Sequence, residues 1–281
     1  MLRKICVGLM TMVPLSIFAE SAPSISYIEY ADNTWKKIDP SQLSEDDLTS
    51  RYILNSDPKI TSLANVPLRG TWWSRYHEYA WVVQFAGPEL RVLDGACGVS
   101  HPFKWFLGKS CKETYACDID SRLDSKEKII QETYDDLGPI AHEVVSNDEE
   151  IWDKVKLSND SIHNLPDHFP KFDRIFCIST FEDLDLNDRQ STLNSFAKHL
   201  EDDGLIVITC DCPKVSVEEL WKAAENAGLV PAGKVEKDIP ADALHHDRWG
   251  IYIYRCVLKL APKQDELTQN IVENIDTSEL S

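Results

Sequence analysis

Short apolar runs alternate with longer amphipathic stretches along this chain, and that alternation predicts strands separated by helices. Arg91–Asp94, Thr114–Asp118, Lys154–Ser158, Arg174–Ser179 and Leu205–Thr209 read as strands, and Gly250–Leu260 as a final extended run. Helical spacing appears over 71–86, where Trp72, Tyr76, Tyr79, Val83 and Phe85 fall near one face. It recurs over 125–136, 188–200 and 217–227, and a further helix starts near His101, with Pro102 suited to its first turn. Ser216 followed by Glu219 forms a capping box, and Gly228 stops the helix it opens. Strands alternating with helices at this spacing predict an α/β fold, a parallel sheet with helices on both faces. Outside this region, Pro40, Pro58 and Pro67 interrupt an irregular extension over 23–70, placed to cover the mouth of a site. The chain therefore divides into an apolar segment 1–22, that extension, a main domain 71–260 and an acidic tail 261–281.

The turn after the first strand carries the strongest chemistry. Asp94-Gly95-Ala96-Cys97-Gly98 joins an apolar strand to a helix, and the glycines let the backbone bend sharply there. The second strand closes on Asp118, a carboxylate able to accept both hydroxyl protons of a ribose. This is a nucleoside-binding βαβ order. The dinucleotide pattern G-x-G-x-x-G is excluded, because the glycines are Gly95 and Gly98 with Asp94 ahead of them.

Val92-Leu-Asp-Gly-Ala-Cys-Gly-Val-Ser100 resembles motif I of the class I S-adenosylmethionine-dependent methyltransferases, and Ala116-Cys-Asp-Ile-Asp120 resembles their motif II. Phe172-Asp-Arg-Ile-Phe-Cys-Ile-Ser-Thr-Phe-Glu-Asp183 is similar to motif IV, Leu200-Glu-Asp-Asp-Gly204 to motif V, and Ser161-Ile-His-Asn-Leu-Pro166 to the adenine loop. The order is that of the family, over about 71–260. The resemblance implies a Rossmann-like, mostly parallel seven-stranded sheet and S-adenosyl-L-methionine as cofactor. It implies that Asp94, Gly95, Ala96 and Gly98 surround the methionine portion, that Asp118 holds the ribose, and that Ser161 and Ile162 flank the adenine, with Ile119 and Ser179 also at the cofactor. Ala96 stands where the family usually has glycine, and Ser161, beside Asp160, where it most often has an acid. Arg75 suits either the methionine carboxylate or a surface ion pair with Glu78.

Composition narrows the partners. A net charge of −18 over 281 residues disfavours nucleic acid, which is gripped by Lys and Arg. The Asn/Asp-Pro-Pro-Tyr/Phe signature of amino-group DNA methylation is missing after the fourth strand, as is a Pro-Cys nucleophile. The cysteines at 6, 97, 111, 117, 177, 210, 212 and 256 lie mostly in apolar runs and lack paired C-x-x-C spacing, so no metal site is expected. They read as reduced thiols of a cytoplasmic chain. Arg3 and Lys4 before the apolar run 5–19 have the form of a signal peptide. Three readings stand side by side: a signal or tether, the only membrane contact expected; an arm docking on a partner; and sequence upstream of a start at Met10 or Met12.

Methyl transfer mainly demands alignment, and proton removal where the acceptor needs it. The expected acceptor is a small molecule or glycan presenting O or N. Candidates for handling it are Asp211 at the end of the fifth strand, His245 before the last strand, and Asp183, which stands where the family often has histidine. Asp183 equally suits a helix cap, and His101 suits either the acceptor or solvent. The missing histidine also fits a catalytically degenerate fold with a structural or regulatory role, and aminopropyl transfer from the same cofactor remains a further reading.

Overall fold

The computed structural model describes residues 43–262, together with the backbone of 27–29 and 35–37, which pair as an antiparallel two-stranded ladder. The apolar segment 1–22 and the tail from 263 lie outside the described residues.

Among the described residues the main sheet has nine strands, seven of which form its continuous path: β1 (Arg91–Gly95), β2 (Glu113–Cys117), β3 (Val155–Ser158), β4 (Phe172–Ile178), β5 (Leu200–Cys212), β6 (Leu229–Pro231) and β7 (Ile251–Leu260). Their order across the sheet is β6-β7-β5-β4-β1-β2-β3. All pairings from β3 to β5 are parallel, while β7 runs antiparallel to both β5 and β6. The fold is α/β, as the alternation predicts, and Rossmann-like, as the resemblance implies.

Side chains alternate across the sheet with the strand period of two. Val92, Phe176, Val207 and Val257 bury into one core, and Leu93, Ile175, Ile206, Ile208 and Cys256 into the other. Helices α1 (Arg75–Val82) and α2 (Phe103–Ser110) supply Tyr79, Trp81, Phe103 and Phe106 to the first. Helices further along the chain, Leu186–Lys198 and Val217–Asn226, supply Leu193, Phe196, Leu220 and Ala224 to the second. Covering both faces is what lets parallel strands read as unbroken apolar runs.

Several boundaries differ from the sequence pattern. The helix expected over 71–86 is shorter, a single α-helical stretch ending in a 3-10 turn at Val83–Phe85. β5 starts five residues earlier than expected, with a register shift between Leu200 and Leu205 that keeps Asp202–Gly204 within the strand. Helices α3 (Lys126–Leu137), α4 (Pro139–Asn147) and α5 (Glu149–Lys154) follow β2, and only the first had a clear apolar stripe. Gly138, at φ +85°, breaks α3 from α4, and Pro139 opens the latter at its first position.

Residues 43–70 are less irregular than their prolines suggest. A one-turn helix, Glu45–Leu48, has its own capping box from Ser44 and Asp47. Arg51–Tyr52 then adds to the free stretch of β7, with Tyr52 opposite Tyr254. Arg51 donates to both carboxylate oxygens of Asp57 and to Asp46, which ties this segment down. Among the described residues no helix is long and apolar enough to cross a membrane.

Candidate functional site

Sheet order reverses between β1 and β4, and open α/β sheets bind ligands beyond the carboxyl ends of the strands at that point. The turn after β1 is built for close approach. Gly95 packs so tightly that an added Cβ would lie 3.1 Å from both Ile162 Cγ2 and the Phe176 carbonyl. Ala96 and Gly98 both take left-handed backbone, at φ +58° and +61°. The Cys97 amide donates to the Cys117 carbonyl at 3.0 Å, tying the turn to β2. The Gly98 amide donates to Asp118 Oδ2 at 2.9 Å, and Asp118 Oδ1 accepts from the Asp120 amide at 3.0 Å. Asp118 thus faces the turn as a half-buried carboxylate oriented from both sides.

Between these elements lies a cavity of about 450 Å³. Arg75, Ala96, Gly98, Asp118, Ile119, Ser161, Ile162 and Ser179 line it, so the sequence-selected cofactor residues converge there. Asp160 also lines it, beside Ser161. Two do not reach the surface of the cavity: Asp94 and Gly95 are buried beneath it. Asp183 stands at its rim, exposed, with Lys214 Nζ 3.4 Å away. The helix cap expected of Asp183 is made instead by Asp185, which accepts from the Asp188 amide.

Charge beneath the cavity is organised by residues that the sequence patterns did not select. Glu78 is fully buried, and one carboxylate oxygen accepts from Arg75 Nη1 at 2.7 Å. The other accepts from Ser179 Oγ at 2.7 Å and from Thr209 Oγ1. Burial pushes the Glu78 carboxyl up, but the Arg75 guanidinium and these hydroxyls outweigh it and hold the group below its ordinary value. The ion pair of Arg75 and Glu78 is therefore a buried one, not a surface pair. Lys104 is also buried, donating from Nζ to the carbonyls of Gly98 and His101 at 2.7 Å each. Burial pushes Asp94 up to about 7, with Lys104 opposing and Asp118 reinforcing the shift. Burial, helped by Arg75 and Lys104, drops His101 to about 3, so its imidazole is neutral.

A second cavity of about 270 Å³ adjoins the first and shares Arg75, His101, Ser179 and Asp183 with it. Its remaining wall includes Trp72, Trp73, Glu182, Asp211 and Lys214. Asp211, near the end of β5, lines this cavity. Burial raises its pKa, with Lys214 opposing. His101 neither points to open solvent nor belongs to one cavity; its ring lies 4.5 Å from that of Trp72 at their junction. His245 lines neither cavity: it stacks on Tyr252 at 4.3 Å and pairs with Asp247 at 3.0 Å. Strand pairing of His245 with β7 holds it outside the site, a long-range contact that loop position alone does not reveal.

No protein-family model and no curated protein matches the chain. Among solved structures it is similar to a TehB-like SAM-dependent methyltransferase from Corynebacterium glutamicum, at 15% identity and TM-score 0.45, over 65% of this chain and 86% of that one. It is similar to an S-adenosylmethionine-dependent methyltransferase from Clostridium acetobutylicum, at 15% identity and TM-score 0.45, over 69% and 93% of the respective chains. A third likeness is to TrmN from Thermus thermophilus, at 21% identity and TM-score 0.42, over 62% of this chain and 45% of that one.

Proposed function

We propose that the chain is an S-adenosylmethionine-dependent methyltransferase, with the cofactor in the larger cavity and a small acceptor in the adjoining one. The observation that carries this reading is Asp118: it follows β2, next to the strand that borders the switch point, and its carboxylate accepts from the Gly98 amide at 2.9 Å. A ribose there would meet an oriented acceptor pair, as nucleoside sites of this fold require.

The residues present fit the rest of the group. Ile162 is an apolar wall for an adenine, and Asp160 and Ser161 offer polar atoms beside it. Arg75 keeps Nε without a hydrogen-bond partner while Nη1 is held by Glu78, so the guanidinium presents a fixed cation to a carboxylate. Asp94, beneath the turn with Oδ2 unpartnered, is a carboxyl whose ionised form a cationic ligand nearby would favour. When bound, S-adenosylmethionine supplies a methyl group already activated by its sulfonium. The protein's own task is then to exclude water, align the acceptor and handle its proton.

Titration calorimetry with S-adenosylmethionine and S-adenosylhomocysteine tests the reading. Binding of both is expected, and loss of binding in Asp118→Ala locates it. Failure of the native chain to bind either ligand would overturn it.

A further inference from the structure

In the smaller cavity, the cations are already matched. Arg75 is neutralised by Glu78 at 2.7 Å. Lys214 sits between Asp183 at 3.4 Å and Asp211 at 3.5 Å. Glu182 is the carboxyl left over: it is 7% exposed, it lines the cavity, and its Oε2 makes no hydrogen bond. Among the described residues it forms no ion pair. A buried carboxylate oxygen without a donor is costly, and a ligand in the cavity can supply one.

We propose that this cavity binds the methyl acceptor as a primary or secondary amine, with its ammonium on Glu182 and its apolar portion against Trp72 and Trp73. This rests on the methyltransferase reading above. The cavity's acids outnumber its cations, so a cationic ligand balances it where a neutral hydroxyl leaves the surplus in place. Glu182 is suited to the proton as well as the charge. Burial pushes it up to about 8 against a hydrogen bond from its own amide, with Asp211 and Glu78 reinforcing and Arg75 opposing, and an ammonium beside it favours the ionised form that accepts the proton. One N–H proton of the bound ammonium passes to Glu182 Oε2 and frees the nitrogen lone pair. That pair forms the new bond to the methyl carbon, the pair of the broken carbon–sulfur bond stays on sulfur, and the product leaves as a methylated ammonium.

Phenethylamine and 2-phenylethanol, which differ in the charged group, serve as probes in the full chain saturated with S-adenosylhomocysteine. Quenching of tryptophan fluorescence and calorimetry both report binding. Phenethylamine is expected to bind at least about tenfold tighter than the alcohol, a difference of about 1.4 kcal/mol. Glu182→Gln should remove that preference while leaving S-adenosylhomocysteine affinity unchanged and without lowering the melting temperature, since Oε2 has no partner to lose. Asp211→Asn should weaken the amine less. Equal binding of the two probes, no binding of either, or an unaltered preference in Glu182→Gln overturns the amine assignment alone. Failure of S-adenosylhomocysteine to bind overturns the underlying reading instead.

Discussion

Glu78 on α1 accepts a hydrogen bond from Ser179, beyond the end of β4, at 2.7 Å and across 101 residues of chain. Ser179 has φ +43°, an uncommon conformation for a residue with a side chain, and its amide is held by the Thr209 carbonyl at 3.0 Å. The helix that carries Arg75 is thereby locked to the two central strands at the floor of both cavities.

Removing the charge on Glu78 leaves Arg75 buried without its counter-ion. Glu78→Gln is expected to destabilise the fold by about 3 kcal/mol, the usual cost of breaking a buried pair on one side. Chemical denaturation measures this, and a loss below about 1 kcal/mol would mean that Ser179 and Thr209 rather than the charge hold the link.

Asp118→Ala should weaken binding of S-adenosylhomocysteine by about 1.5–3 kcal/mol, the cost of losing charged hydrogen bonds. Asp118→Asn keeps one acceptor oxygen for the Gly98 amide and should fall between the two. Unchanged affinity in both variants, measured by calorimetry, would remove the ribose assignment.

Ala96 and Gly98 predict opposite outcomes for opposite changes. Ala96→Gly relieves a left-handed alanine, so a gain of about 0.5 kcal/mol is expected once the added chain entropy of glycine is deducted. Gly98→Ala meets both a φ of +61° and an added Cβ 3.1 Å from the His101 ring. It should destabilise by about 1–3 kcal/mol, read as a lower urea midpoint.

Stability should fall as pH rises from about 5 to 8. Asp94 moves from an ordinary 3.8 to about 7 on folding. Glu182 moves from 4.5 to about 8. In that window the native state holds protons that the unfolded chain has released, so each group weakens folding by up to about 1.4 kcal/mol per pH unit. Glu78 and His101 have the opposite sign: the folded pKa of each is lowered, so the contribution of Glu78 is lost only in more acidic solution, while His101, ordinarily at 6.5 and at about 3 when folded, offsets part of the fall at the acidic end of the window. A combined Asp94→Asn and Glu182→Gln variant should flatten the slope between pH 5 and 8 in urea titrations. A slope equal to that of the native chain would show that other groups set it.

Much of the fold was legible because parallel strands buried on both faces are short apolar runs, and β1, β2 and β4 are found within one or two residues of them. The capping box of Ser216 and Glu219 was legible for a local reason, since its hydrogen bonds close within four residues. Helices α4 and α5 were not: their packing comes from neighbouring elements, and α5 buries Ile151 alone.

The sequence by itself determined the turn of Asp94 to Gly98, the carboxylate at Asp118 and the cavity residues from Arg75 to Ser179, because each motif is local and its geometry follows from a few adjacent residues. Only the tertiary structure decided which charges are buried and paired. Glu78, Lys104 and Glu182 look in sequence like ordinary surface charges, and nothing near them in the chain encodes their partners. Burial is set by elements that meet from distant parts of the chain, which is why Glu182 is enclosed with Oε2 unpartnered, and long-range strand pairing is what keeps His245 out of both cavities.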